Sequence, residues 1–89
     1  MSQPLDRGVL VVGTGLLGTS VGLALRRAGV EVRLRDADEA ALGEAVELGA
    51  GRRAEPGDPA ASLAVVAVPP EVTGSVVAAL LDHGSAAYA

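Results

Sequence analysis

Short apolar runs and helical stretches alternate along this chain, with glycines between them. The run Val9–Val12 is apolar at every position, which is typical of a strand buried on both faces of a parallel sheet. Residues 16–28 carry apolar side chains at helical spacing, and Arg26 and Arg27 complement the dipole of the last turn before Gly29 ends the segment. The apolar positions of this predicted helix are Leu17, Val21, Ala24, Leu25 and Ala28. The pattern predicts a strand, a glycine turn and a helix.

The same order recurs in the next segment. Residues 30–35 alternate apolar with charged positions, which predicts a half-exposed strand at a sheet edge, with Arg33 on the exposed face. Asp38 is the expected N-cap of a second helix over 39–48, and Gly49 ends that helix. A second strand and helix therefore follow the first pair.

The stretch after the second helix is the least regular. We expect a short strand around residues 52–54, where Arg52 and Arg53 form a solvated pair. Asp58 followed by Pro59 has the form of an N-cap and a first helical residue, so it predicts a short helical turn.

Residues 63–68 form a second apolar run and predict another buried strand. A third helix is expected over 69–84, and residues 85–89 resemble the beginning of a further strand. Strands that alternate with helices indicate an α/β fold with a Rossmann-like parallel sheet and helices on its faces, here truncated. The expected strand order is 30–35, 9–12, 63–68 and 85–89.

The composition excludes several classes of protein. With 89 residues, 49% of them hydrophobic, the chain makes one domain and is too apolar to be disordered. It has no cysteine, which excludes disulfide frameworks and thiolate metal sites, and a net charge of −4 argues against nucleic-acid binding. No apolar run approaches the ~20 residues of a membrane span, and no signal peptide is visible, so we expect a cytoplasmic protein.

The glycine turn carries a dinucleotide-binding fingerprint, G-x-G-x-x-G, between a predicted strand and a predicted helix. Its residues are Gly13, Thr14, Gly15, Leu16, Leu17 and Gly18. Gly13 permits the tight turn, Gly15 has no Cβ to keep a pyrophosphate away, and Gly18 lets the helix approach the sheet. N–H groups around Leu16 and Leu17 at the positive helix end then bind the pyrophosphate. The alternative is that the glycines serve helix–sheet packing alone.

Asp36 ends the second strand, where it can accept hydrogen bonds from the hydroxyls of an adenosine ribose. Its carboxylate would repel a ribose 2′-phosphate, and Ala37 offers no group that would bind one, which favours NAD over NADP. Arg35 is the residue that could bring a positive charge near the adenosine. The alternative for Asp36 is a solvated carboxylate or a helix cap.

The loop Val68, Pro69 and Pro70 ends the strand next to the first one and is expected to face the nucleotide. The alternative is a proline helix start without a ligand role. His83 is interpreted as a residue of a helix C-terminus, and no serine has suitable partners for nucleophilic catalysis. We therefore assign no catalytic residue and no metal site.

Two segments resemble the amino-terminal part of prephenate dehydrogenases. They are VLVVGTGLLGTSVGLALRRAG and LAVVAVPPEVTGSVVAALL, with Thr73 at a matching place in the second. The variant G-x-G-L-L-G-x-S over residues 13–20 is characteristic of that family. The resemblance implies oxidative decarboxylation of prephenate to 4-hydroxyphenylpyruvate in tyrosine biosynthesis, with hydride transfer to NAD.

The resemblance also implies a particular domain organisation. Residues 1–89 correspond to the amino-terminal part of a dinucleotide-binding Rossmann domain, and in the family the remainder of that domain and a helical dimerisation and substrate domain follow. The family's catalytic His and substrate-binding Arg match no residue here, so we expect no catalysis by this piece alone. Because the nicotinamide-facing half and the dimer interface of the family are not among these residues, we also expect weak NAD binding, and self-association through exposed apolar surface. The alternatives are an arogenate dehydrogenase, another NAD(P)-dependent reductase, or a free-standing nucleotide-binding module.

Overall fold

A computed structural model describes residues 5–67 and 87–88 of the chain. In these ranges two helices and five strands are present. In chain order they are β1 (Val9–Val12), α1 (Leu16–Arg27), β2 (Val32–Arg35), α2 (Glu39–Glu47), β3 (Arg52–Arg53), β4 (Leu63–Val66) and β5 (Ala87–Tyr88). The helix predicted over 69–84 and the loop Val68, Pro69 and Pro70 lie outside the described residues.

The strands form one sheet in the order β3-β2-β1-β4-β5, and every neighbouring pair is parallel. Val9 pairs with Val32 on one side and with Leu63 on the other, so β1 occupies the centre. The α/β class and the predicted order of the four principal strands are confirmed. The winding reverses beside β1, which is where ligands bind in open α/β sheets.

The prediction that the second strand forms a sheet edge is wrong. Strand β3 pairs with β2, with Arg33 opposite Arg52 and Leu34 opposite Arg53, and the N–H of Ala54 donates to Leu34 O at 2.8 Å. The short strand expected around residues 52–54 is therefore present and takes the edge position.

The prediction that Arg33 is exposed is also wrong, since only 4% of its surface is accessible. Its Nη1 donates to Pro59 O at 2.5 Å and its Nη2 donates to Arg7 O at 2.6 Å. Alternation correctly placed Arg33 on the face opposite Leu34, but the segment that contains Pro59 covers that face. Backbone carbonyls accept hydrogen bonds from Nη1 and Nη2, which offsets much of the cost of burial, while Nε is buried without a partner among the described residues.

The helical turn predicted at Asp58 is absent, and the Asp58 carboxylate has other partners. It accepts from the N–H of Glu55 at 2.8 Å and binds the guanidinium of Arg52 at 2.9 Å. The carboxylate therefore fixes a loop to β3 instead of beginning a helix. Arg52 and Arg53 are exposed, as expected, and Arg53 also contacts Glu39 at 2.6 Å.

Helix α1 approaches the sheet through glycines more than through the predicted apolar stripe. Gly18 and Gly22 are its buried residues, whereas Leu17 is 67% exposed, contrary to the prediction. A Cβ on Gly22 would lie 2.5 Å from Ala50 O. The helix axis therefore lies close to neighbouring backbone, because these two glycines have no side chain to hold it away.

Apolar side chains fill both faces of the sheet. The cluster on the side of α1 and α2 consists of Val9, Val11, Val32, Leu34, Leu42, Ala45 and Ala50. The cluster on the other face consists of Leu10, Val12, Ala61, Ala64 and Val66. The predicted N-cap of α2 is confirmed, because Asp38 Oδ1 accepts from the N–H groups of Ala40 and Ala41. Neither helix in the described ranges has the length and apolarity needed to cross a bilayer.

Candidate functional site

The fingerprint loop and Asp36 lie together at the carboxyl edge of the sheet. Strands β1 and β2 are paired in register up to Val12 and Arg35, so the residues that follow them emerge side by side. The N–H of Gly13 donates to Arg35 O at 2.8 Å and extends the pairing by one residue. The parallel register thus places the glycine loop next to the acidic strand end, although they are separated in sequence.

Two glycines of the loop are required by the backbone itself. Gly13 has a φ of +100°, a conformation that L side chains rarely adopt. A Cβ on Gly18 would lie 1.7 Å from Gly13 O, so the start of α1 can pack on the turn only without a side chain there. The turn and the close approach predicted for these two positions are both present, and they explain Gly13 and Gly18 without any ligand.

Gly15 differs from the other two glycines because the fold does not require it. Its φ is −71° and its ψ is −162°, which other residues also adopt, and a Cβ built there meets nothing within 4 Å. Packing therefore does not account for a glycine at this position. The space beside it is open at the point where the loop passes into the helix.

The first turn of α1 carries no group that neutralises its positive end. Gly15 is the N-cap without a side-chain hydrogen bond, and the first turn contains no acidic residue. Leu16 and Leu17 are 88% and 67% exposed, so solvent reaches this end of the helix. Backbone N–H groups that are not used within the helix, together with the helix dipole, favour an anion at such a position.

Asp36 is half-buried and held by the loop beside it. Its Oδ2 accepts from both the N–H and the hydroxyl of Thr14, each at 2.7 Å, and its Oδ1 accepts from the N–H of Asp38 at 2.8 Å. Burial raises the pKa of Asp36, but these hydrogen bonds, with a smaller contribution from the nearby N–H of Ala37, together lower the pKa below its ordinary value. The carboxylate is therefore ionised at neutral pH.

These features fit the two polar parts of a dinucleotide. The open space at Gly15 and the positive end of α1 suit a pyrophosphate, and an ionised carboxylate held beside the loop suits ribose hydroxyls. The described residues bring together Gly13, Thr14, Gly15, Leu16, Leu17, Gly18 and Asp36. The other predicted site residues, Val68, Pro69 and Pro70, lie outside the described ranges, as do Thr73 and His83.

A cavity of about 430 Å³ lies beside β2, under the segment that covers Arg33. It is lined by Leu10, Arg33, Arg35 and the segment 54–61, and none of the fingerprint residues borders it. Arg33 is bonded to carbonyls and Asp58 to Arg52, so two of its charged groups already have protein partners. The glycine loop is therefore the candidate site, because within residues 5–67 and 87–88 it is the place where an open backbone meets a helix end and a carboxylate held by hydrogen bonds.

Two hydrogen-bonding residues of the site, Thr14 and Thr19, were not identified as such from the sequence pattern. Thr14 stood in the fingerprint as an arbitrary residue, yet it supplies two of the donors to Asp36. The Thr19 hydroxyl donates to Thr14 O at 3.0 Å and ties the loop to the first turn of α1. A threonine between two glycines, with an acid at the next strand end, is the signal that could have suggested the first of these contacts.

The chain is similar to a curated protein of known class. It is 44% identical over 82 residues to the probable prephenate dehydrogenase NovF of Streptomyces niveus. The match takes in 92% of this chain and 22% of NovF, so the chain spans about a fifth of that relative's length. No family model matches the chain. The resemblance to prephenate dehydrogenases predicted from the two sequence segments is confirmed by this match.

Proposed function

We propose that this relative of prephenate dehydrogenases binds NAD at the glycine loop and forms the dinucleotide-binding part of such an enzyme. The observation that carries the proposal is the open backbone at Gly15. A Cβ at this position would meet nothing within 4 Å and the local φ suits any residue, so neither packing nor backbone conformation explains the glycine. A pyrophosphate that approaches the backbone at this point gives a physical reason for glycine there.

Each end of the proposed site has a defined part in binding. The first N–H groups of α1, around Leu16 and Leu17, would hold the pyrophosphate, and Asp36 would hold the adenosine ribose. The ionised Asp36 carboxylate would repel a ribose 2′-phosphate, so we propose NAD in preference to NADP. Arg35 is exposed, but its carbonyl is fixed by Gly13 N–H, which limits the backbone movement that could bring its guanidinium to the adenosine.

In the complete enzyme NAD would accept a hydride during oxidative decarboxylation of prephenate, within tyrosine biosynthesis. The described residues of this chain would bind and orient the adenosine and pyrophosphate half of the cofactor. None of them is assigned to proton transfer or to the substrate, so we propose that the chain by itself binds NAD weakly and has no dehydrogenase activity. We further propose a cytoplasmic, homo-oligomeric enzyme.

The test compares two glycine substitutions in the 89-residue chain. Gly15→Ala places a methyl group where the pyrophosphate would lie, and Gly43→Ala places one in equally open space on α2. We expect Gly15→Ala to weaken NADH binding by about tenfold or more, which corresponds to about 1.4 kcal/mol, while Gly43→Ala leaves it unchanged. Chemical-shift titration by NMR measures such affinities even when they are in the millimolar range.

The cofactor preference is tested in the same titrations. We expect NADH to bind more tightly than NADPH, and Asp36→Ala to narrow the difference, because it removes the charge that repels the 2′-phosphate. Equal NADH affinity in the Gly15→Ala and unsubstituted chains would contradict the proposed site. Tighter binding of NADPH by the unsubstituted chain would contradict the proposed cofactor.

A further inference from the structure

Thr14 is buried within a loop whose next three residues are exposed. Only 4% of its surface is accessible, whereas Gly15, Leu16 and Leu17 face solvent. Its side chain is directed toward β2, where the hydroxyl and the N–H both donate to Asp36 Oδ2 at 2.7 Å. Since its carbonyl accepts from the Thr19 hydroxyl at 3.0 Å, Thr14 connects β2, the loop and α1.

These contacts use the two oxygens of Asp36 unequally. A carboxylate has about four acceptor positions, two on each oxygen. Oδ2 accepts twice from Thr14, so its positions are taken, while the hydrogen bond from Asp38 N–H takes one position on Oδ1. Among the described contacts Oδ1 is the oxygen with acceptor capacity left, and Asp36 is exposed enough for a ligand to reach it.

We infer that Thr14 is a positioning residue, which fixes Asp36 Oδ2 and thereby directs Oδ1 toward a ribose hydroxyl. It thus determines how strongly the site prefers a ribose to a sugar without hydroxyls. This inference rests on the proposed function, because it requires a nucleoside beside Asp36. Thr14 itself does not touch the ribose. It acts through the orientation and the ionisation of the neighbouring carboxylate.

The ionisation of Asp36 is consistent with this role. Burial raises the pKa of this carboxyl, and the Thr14 N–H and hydroxyl are among the donors that lower it below its ordinary value. Removal of the hydroxyl takes away one donor to the charged form and leaves the carboxylate held only by the N–H groups of Thr14 and Asp38, so its side-chain torsion is less restricted. Both effects weaken an oriented hydrogen bond to a sugar hydroxyl.

The test uses Thr14→Val, which keeps the side-chain shape and removes the hydroxyl, and Thr14→Ser, which keeps the hydroxyl. The probes are AMP and 2′,3′-dideoxy-AMP, titrated into the 89-residue chain by NMR. We expect AMP to bind about tenfold more tightly than the dideoxy analogue to the unsubstituted chain, and this ratio to fall about threefold or more in Thr14→Val. In Thr14→Ser the ratio is retained.

A second readout is the pKa of Asp36, measured from the pH dependence of its carboxyl ¹³C shift. We expect it to rise in Thr14→Val and to stay low in Thr14→Ser. Should Thr14→Val fail to fold, Thr14→Ala removes the same hydroxyl and carries the same expectations. A rise in the pKa together with a lower AMP ratio supports the inference.

Two results would overturn it, and they are distinguishable from each other. If AMP and NADH bind but Thr14→Val weakens both AMP probes equally, the proposed function stands and Thr14 is merely structural. If the unsubstituted chain binds neither AMP nor NADH, the proposed function fails and the inference fails with it, whatever the pKa of Asp36 does.

Discussion

Two charged residues close together in sequence, Arg33 in β2 and Asp36 just after it, are held by the fold in different ways. Arg33, in the middle of the strand, is 4% exposed and donates hydrogen bonds to the carbonyls of Pro59 and Arg7. Asp36, just beyond the strand, is half-buried and accepts from Thr14 and Asp38. One charge lies under a loop of the chain, and the other lies at an open edge of the sheet.

The two residues differ in the hydrogen-bonding capacity that each leaves available to a ligand. The Arg33 side chain is enclosed by the chain, and its two bonded nitrogens fasten the segments before β1 and before β4 to β2. Asp36 retains an acceptor position on Oδ1 and stands beside the open backbone at Gly15. A charged group whose donors are enclosed by its own backbone stabilises the fold, whereas one that keeps capacity at an open edge can bind.

The largest effect on stability is expected from Gly18→Ala, because Gly18 is the point at which α1 packs on the turn at Gly13. Its Cβ would lie 1.7 Å from the backbone oxygen of Gly13, so the helix must move away from the turn. We expect a loss of about 3 kcal/mol or more in the free energy of unfolding. Urea denaturation followed by circular dichroism measures it.

Gly43→Ala is the matched control for that substitution. Gly43 also lies within a helix, but a Cβ there meets nothing within 4 Å. We expect the free energy of unfolding to increase by about 0.5–1 kcal/mol, since alanine favours the helix more than glycine does. Equal effects of the two substitutions would show that the approach of α1 to the turn is not close.

The next largest effect is expected from Arg33→Met, which keeps an unbranched side chain but removes the guanidinium. The carbonyls of Pro59 and Arg7 lose their donor, and we expect the free energy of unfolding to fall by about 2 kcal/mol. NADH affinity, measured by NMR under conditions where the variant is folded, should not change. A large loss of NADH affinity would show that Arg33 also contributes to binding and not to stability alone.

Arg35→Met is the control on the same strand. Arg35 lies two positions further along, on the same face, and is exposed. We expect its substitution to change the free energy of unfolding by less than about 0.5 kcal/mol. An effect as large as that of Arg33→Met would mean that burial of the guanidinium is not what makes Arg33 important.

Asp36→Asn is expected to have the opposite effect to Arg33→Met: a large change in NADH affinity and a small change in stability. The amide retains the shape of the carboxylate but loses its charge, so we expect NADH affinity to fall about tenfold, as for other hydrogen bonds to charged groups. The free energy of unfolding should fall by only about 1 kcal/mol, since the amide oxygen can still accept from Thr14 and only the exposed N–H of Asp38 loses its acceptor. A loss of stability greater than that of Arg33→Met would contradict the assignment.

The smallest effect concerns pH and the loop that covers Arg33. The hydrogen bond from Arg52, with a further one from Glu55 N–H, lowers the pKa of Asp58 from 3.8 to about 2. A lowered pKa in the folded state stabilises the fold above the unfolded pKa, and this stabilisation disappears as the pH falls from about 4 to about 2. We expect Asp58→Asn to flatten the pH dependence of the urea midpoint in that range. An unchanged pH dependence would show that Asp58 is not bonded to Arg52 in solution.

Much of the site could be predicted because the fingerprint is local. The turn at Gly13, the close approach at Gly18 and the position of Asp36 after β2 all follow from residues that are near one another in the sequence or on adjacent parallel strands. The double donation from Thr14 to Asp36 could not be predicted in the same way. It depends on the register of two strands and on the direction of one side chain, and neither is visible in a spacing pattern.

The sequence by itself determined the two described helices, the parallel α/β class, the order of the four principal strands and the N-cap at Asp38, because hydrophobic period and capping act within a few residues. Only the tertiary structure decided that Arg33 is buried, that β3 forms the edge beside β2 and that Leu17 faces solvent. Alternation reports which side of a strand a residue faces, but it does not report what covers that side. The physical reason is that burial is a property of two surfaces in contact, and the second surface comes from a distant part of the chain.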